Sequence, residues 1–170
     1  MKKHLALIGM MGCGKSTLGA LLARRLGAPL CDLDAQIERF EGRTIPDIFA
    51  EAGDAGFRLC ETAALRRALD APPCVIATGG GIVTREENIA LLRERALVVW
   101  LCRPLDAILP EVDAQNRPNL AGDKEARMRA LYAAREPLYR RAAHIAFDNS
   151  QPPRQSAELL LFHPLVQRIL

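Results

Sequence analysis

The sequence predicts a three-layer α/β fold in which a parallel sheet is buried between helices. Three observations carry this. The strand-like runs at 5–8, 74–78 and 96–101 are continuously apolar, whereas half-exposed strands would alternate. Stretches with helical spacing separate them, so strands and helices take turns along the chain. The first run leads directly into Gly9-Met10-Met11-Gly12-Cys13-Gly14-Lys15-Ser16, with Thr17 directly after it and helical spacing from Leu18. That spacing is the phosphate-binding loop pattern: a glycine, four variable residues, then Gly-Lys-Ser.

Taken in order, 5–8 is the first strand and 18–26 the first helix, which Gly27-Ala28-Pro29 stops. Residues 30–34 read as a second strand. Its end carries Asp32 and Asp34, on one face if the extended geometry persists. A helix starts at Ala35 and Gly42 ends it. Thr44 caps the next, with Pro46 near its first position and Ile48 and Phe49 on its buried side. Gly53 and Gly56 punctuate, and 57–69 is a separate helix that Pro72-Pro73 stops. The strand 74–78 opens into Gly79-Gly80-Gly81, then 85–95 is an amphipathic helix and 96–101 a strand. Pro104 opens a short helix confined by Pro110. Residues 113–123 are polar and lack periodicity, as expected of a loop that serves as a lid. Helix returns over 124–139 with Pro137 near its end, 144–147 is a fifth strand, and Pro152-Pro153 precedes a helix through Leu170.

At 170 residues the chain suits one well-packed domain, and no repeat or linker divides it. Its net charge of +3 argues neither for nor against nucleic acid. No apolar run is long enough to span a membrane, and the run after Met1-Lys2-Lys3-His4 is too short for a secretory signal, so a cytoplasmic setting is expected. The five cysteines, Cys13, Cys31, Cys60, Cys74 and Cys102, include no Cys-x-x-Cys pair, and His4, His144 and His163 are scattered. Neither a zinc site nor a disulfide framework is expected. Cys13, inside the phosphate loop, reads as a small loop residue with an alkylation liability and no catalytic role.

In the loop, glycines let backbone N–H groups converge on phosphate and the following helix adds its positive end. Lys15 can reach the outer phosphates and Ser16 can place its hydroxyl on Mg²⁺. Parallel sheets bind ligands beyond the carboxyl ends of their strands. There this chain carries the loop, Asp32 with Asp34, the triple glycine, and the segment after Trp100. Asp32 and Asp34 suit metal support and activation of a hydroxyl, or equally a helix cap. Three consecutive glycines exceed what a turn needs and permit close backbone approach to a small ligand. Arg58 and Glu61, three apart on a helix, could be a surface ion pair worth a few tenths of a kcal/mol. Arg117 and Arg135 taken singly read as solvated charges.

Together these motifs resemble shikimate kinase over nearly the whole length: Gly9-x-x-x-x-Gly14-Lys15-Ser16-Thr17, Asp32-x-Asp34, Phe57-Arg58-x-x-Glu61, Gly79-Gly80-Gly81, Arg117-Pro118 and Arg135-x-Pro137-x-Tyr139. The resemblance implies a nucleoside-monophosphate-kinase-like P-loop NTPase fold, a single kinase domain with five parallel strands and a mobile lid over about 112–124. It implies transfer of the ATP γ-phosphoryl to the 3-hydroxyl of shikimate by a monomer, with Mg²⁺ and without nucleic-acid or membrane partners. Gly12, Cys13, Gly14, Lys15, Ser16, Thr17 and Arg117 would then hold ATP, with Lys15 and Arg117 on the transferring group. Ser16 and Asp32 would hold Mg²⁺. Asp34 would bind the acceptor hydroxyls and act as base; Arg58 and Arg135 would grip the carboxylate. Gly80 and Gly81 would offer backbone contacts, Glu61 would orient Arg58, and Phe49 and Phe57 would wall the pocket.

Two positions depart from the family. Asn119 follows Arg117-Pro118 where leucine is common, and Leu109-Pro110 stand near where an arginine often stacks on adenine. A gluconate kinase would share loop and lid but not Arg58, Arg135 and the triple glycine together. A non-catalytic nucleotide-binding module would be expected to have lost Lys15, Asp34 or one of the arginines, and all are present.

Overall fold

The computed structural model describes residues 1–112 and 123–170. Strand β1 (His4–Ile8) is buried along its whole length because it lies at the centre of the sheet. It pairs in parallel with β3 (Val75–Ala77) on one side and β4 (Ala96–Cys102) on the other. Outside these lie β2 (Leu30–Asp32) and β5 (Ile145–Asp148), giving the all-parallel order β2-β3-β1-β4-β5. The continuous apolar runs follow from this position, since alternate side chains need alternate covers. Leu5 and Leu7 join Leu97, Val99 and Leu101 in one core, while Ala6 and Ile8 join Val98 and Trp100 in the other.

Helix α1 (Lys15–Leu26) and α7 (Pro153–Leu161) cover the first face. The second is covered by α3 (Ile45–Asp70), α4 (Glu86–Arg95) and the carboxyl half of α6 (Lys124–Ala142), with α2 (Leu33–Glu41) packed on α3. Short α5 (Leu105–Ile108) and α8 (Pro164–Gln167) complete the set. Five strands between two helical layers is the expected architecture.

Four boundaries differ from expectation, each for a local reason. The second strand stops at Asp32, whose carboxylate accepts from the N–H groups of Asp34 and Ala35 and starts α2 two residues early. Asp32 and Asp34 therefore do not share an extended face. Thr44 caps the next helix as expected, and Asp47 completes a reciprocal capping box worth about 1 kcal/mol. The helix beyond it is broken only at Gly53, at φ 65° and ψ −172°, so its second arm starts before Phe57 and Gly56 stays helical. Helix α6 runs past Tyr139 to Ala142 despite Pro137. The carbonyl Pro137 leaves without a helical donor belongs to exposed Ala133, where water can serve it, while buried Tyr139 and Ala142 anchor the last turn. The final helix does not reach Leu170: Pro164 cannot continue it, and His163 Nδ1 accepts from Leu165 N at 3.2 Å to cap α8.

Candidate active site

The phosphate loop leaves β1 and closes on α1. Gly14 occupies the N-cap at φ 95°, where glycine carries no Cβ penalty. A Cβ there would also meet Asn149 Nδ2 at 2.8 Å. That amide donates to the Cys13 carbonyl at 2.7 Å and ties the loop to the end of β5. Lys15 is folded back over the loop, its ammonium donating to the carbonyls of Gly9 at 2.9 Å and Met10 at 2.8 Å. Neutral carbonyls are weaker partners than phosphate oxygens, so an anion in the loop can draw the ammonium onto itself. Cys13 is only 1% exposed, which removes the expected alkylation liability.

The Ser16 hydroxyl donates to Asp32 Oδ2 at 2.7 Å, while Oδ1 of the same carboxylate caps α2. The cap is thus Asp32, and Asp34 is not spent on that task. A hydroxyl and a carboxylate beside a phosphate cradle fit magnesium, which takes few protein oxygens and completes its shell with phosphate and water. Among the described residues no cluster of three His, Cys, Asp or Glu side chains forms a cage for a metal.

Two cavities open at the carboxyl ends of the strands. One, of about 520 Å³, follows residues 11–18 towards Arg103 and residues 149–153. The other, of about 620 Å³, is lined by Phe49, Phe57, Arg58, Glu61, Arg135 and the triple glycine. Met11, Gly12, Asp34, Gly80 and Glu111 border both. Asp34 thus stands where a ligand in one cavity faces a ligand in the other.

Arg58 and Glu61 are not a surface pair. They are 6% and 1% exposed, and Arg58 Nη1 donates to Glu61 Oε2 while its Nη2 and Nε donate to Asp54 Oδ1 at 2.9 and 3.2 Å. Burial pushes the Glu61 carboxyl upward and the Arg58 charge opposes it; burial works against the Arg58 cation, and Glu61 and Asp54 outweigh that to hold its proton more firmly. Among the described residues, Glu61 Oε1 is buried without a hydrogen-bond partner, near Asp34 and the cavity. Arg135 is equally buried and makes no ion pair among the described residues, so its guanidinium faces the cavity with its charge only partly offset by nearby Glu61. A cavity with one committed and one uncommitted guanidinium favours a carboxylate ligand. Phe49 and Phe57, ring centroids 4.5 Å apart, line the same cavity, with Arg58 Cζ 5.1 Å from the Phe57 ring centroid.

The triple glycine has a steric reason that spacing alone did not reveal. A Cβ on Gly79 would lie 2.6 Å from Glu61 Oε1, and one on Gly81 would lie 2.1 Å from Arg58 Nη1. The strand end is bare because the ion pair is packed against it.

Of the residues read from sequence, Gly12 to Thr17, Asp32, Asp34, Phe49, Phe57, Arg58, Glu61, Gly80, Gly81 and Arg135 come together here. Arg117, with Asn119 and most of the expected lid, lies outside the described residues. The sequence reading missed Asn149, Ser150, Gln151 and Pro153 on the nucleotide side, although they follow β5 just as other site segments follow their strands. It also missed Arg103, which grips Glu111 through two hydrogen bonds of 2.6 Å and donates to the Gly12 carbonyl at 3.3 Å. That fork holds the Glu111 carboxyl below its ordinary range. Near the place of the expected adenine-stacking arginine, the Leu109 and Val112 carbonyls instead accept from Lys124 Nζ at 2.8 and 3.0 Å.

Comparison with known proteins points one way. The family model described as shikimate kinase matches residues 11–162. The chain is 40% identical to shikimate kinase of Symbiobacterium thermophilum over 169 residues, covering 97% of each chain. Its structure resembles that of shikimate kinase from Acinetobacter baumannii in complex with shikimate, with a TM-score of 0.93, 37% identity and coverage of 99% of this chain and 96% of that one. A gluconokinase from Sinorhizobium meliloti shares the fold at a TM-score of 0.61 but only 16% identity, over 99% and 95% of the two chains.

Proposed function

The chain belongs to the shikimate kinase family, and from that premise we propose how its residues divide the reaction. It is an ATP- and Mg²⁺-dependent kinase that phosphorylates the 3-hydroxyl of shikimate, giving shikimate 3-phosphate and ADP for chorismate and aromatic amino-acid synthesis. The observation that carries the assignment of roles is the shared wall: Asp34 borders both the loop cavity and the arginine-lined cavity.

ATP lies along the loop, its phosphates on the N–H groups of Gly12 to Thr17, its base towards Arg103 and residues 149–153. Shikimate lies opposite, its carboxylate on Arg58 and Arg135 and the Gly80-Gly81 backbone, its ring against Phe49 and Phe57. Glu61 fixes Arg58. Asp34 receives the proton of the 3-hydroxyl as that oxygen bonds to the γ-phosphorus and the bond to the ADP oxygen breaks. Lys15 leaves the Gly9 and Met10 carbonyls to follow the charge of the transferring group, and Arg117 supplies a second cation there. Ser16 and Asp32 would hold Mg²⁺, which when bound neutralises phosphate charge. Holding two reactants across one carboxylate is itself a large part of such catalysis.

We further assign residues 1–170 to one kinase domain with its lid at about 112–124, acting as a cytoplasmic monomer on a small molecule, without nucleic acid. No helix among the described residues is long and apolar enough to cross a membrane. A coupled ADP-release assay with shikimate and with gluconate tests the substrate. Turnover on shikimate alone is expected; turnover on gluconate alone, or on neither, would refute the reading.

A further inference from the structure

Tyr139 is fully buried, yet its hydroxyl reaches the backbone of Gly80, which lines the acceptor cavity. It donates to the Gly80 carbonyl and lies 4.0 Å from Met10 Sδ at the start of the phosphate loop, with Arg135 one turn earlier on α6. Its ring is held by Trp100, 6.1 Å between centroids and 24° from parallel. Burial raises its pKa, so the phenol keeps its proton and remains a donor. A phenol so placed does more than fill space. The C=O and N–H of a trans peptide point in opposite directions. Drawing the Gly80 carbonyl down into the core therefore turns the Gly81 N–H up, on the side where Gly81 lines the cavity. Among the described residues nothing accepts from that N–H. A glycine on each side of the peptide bond makes its rotation easy, so something outside the strand must choose its orientation.

We propose that Tyr139 is a positioning residue for the acceptor: by holding the Gly80 carbonyl it aims the Gly81 N–H at the substrate carboxylate. This rests on the acceptor-site reading above. The residue touches neither substrate nor nucleotide. Among the described residues its hydroxyl makes no hydrogen bond to residues 12–17, so donor binding should change little even though Gly80 borders both cavities.

The test is Tyr139→Phe in the full chain, with steady-state kinetics for shikimate and ATP and inhibition by shikimate methyl ester. KM for shikimate should rise about tenfold, the scale of one hydrogen bond to the charged carboxylate. KM for ATP should stay within about twofold, and inhibition by the ester, which lacks the anionic charge, should weaken far less than shikimate binding. An unchanged KM for shikimate would overturn the proposal. So would equal weakening of acid and ester, which marks general loosening of the pocket. Should the variant not fold, the wild-type Gly81 amide resonance must shift on titration with shikimate, and a stationary resonance refutes the idea. A wild-type chain inactive on shikimate would remove the acceptor reading and this inference with it; an active wild type with an indifferent variant removes only the inference.

Discussion

Replacing Gly81 with alanine isolates one steric contact at the centre of the acceptor site. The backbone of Gly81, at φ −96° and ψ 1°, accepts alanine without conformational strain, so any effect must come from the added methyl. That methyl would lie 2.1 Å from Arg58 Nη1, 2.5 Å from Cζ and 2.7 Å from Nη2. A carbon atom needs about 3.5 Å from such neighbours, so the guanidinium must retreat by roughly 1 Å or more. Arg58 cannot retreat freely, because Glu61 and Asp54 hold three of its donor contacts and only 6% of it is exposed. Overpacking of this kind costs about 1–3 kcal/mol, or a melting temperature lower by roughly 2–10 °C for a chain of this size. Weakening a charge-assisted contact to the acceptor costs about 1.5–3 kcal/mol more, in binding rather than folding. Steady-state kinetics of Gly81→Ala should therefore show KM for shikimate raised about ten- to a hundredfold, with KM for ATP nearly unchanged. A KM for shikimate equal to wild type would refute the claim that Arg58 is held against the strand end to meet the substrate.

Asp34→Asn should lower kcat by about 10²–10⁴ while leaving ADP affinity, measured by calorimetry, almost intact; retained kcat would mean the carboxylate only binds. His4 is buried, and burial holds its pKa below the ordinary 6.5, with its Nδ1 accepting from Cys74 N at 3.2 Å. The unfolded chain takes up a proton near pH 6.5 where the folded chain does not, so this contribution to stability is complete above that pH and is lost as the pH falls below it. Urea unfolding of His4→Asn, which keeps an acceptor for Cys74, should show a shallower acid decline, by at most about 1.4 kcal/mol per pH unit; parallel declines would refute the assignment.

The layers and the sheet were legible because a sheet covered on both faces needs unbroken apolar strands, and 5–8 and 96–101 are such strands. The donor half of the site was legible because phosphate imposes a fixed spacing from Gly9 to Ser16. The acceptor half was legible only as a constellation. Arg58 and Glu61, three apart, look the same whether a helix face meets water or a strand end, and only packing against Gly79 and Gly81 decides it. Asp32 illustrates the opposite difficulty. One carboxylate both caps α2 and receives Ser16, so the alternatives of cap and metal partner were never exclusive. Residues 149–153 escaped because no motif marks them, and Tyr139 stood in the Arg135-x-Pro137-x-Tyr139 motif without a role; their roles come from where β5 ends and from where α6 crosses the strand ends.

The boundary formed by Met11, Gly12, Asp34, Gly80 and Glu111 also has a pharmacological side. It is the border that compartments of about 520 and 620 Å³ share, one set of five residues thick. A single compound that joins a nucleotide mimic to a hydroxylated acid needs only a linker as long as the transferred group. The second half then binds at the effective concentration set by the first, typically millimolar for a short tether. Selectivity over other nucleotide enzymes would come from the acid half, since a carboxylate flanked by two arginines is rarer than a phosphate loop.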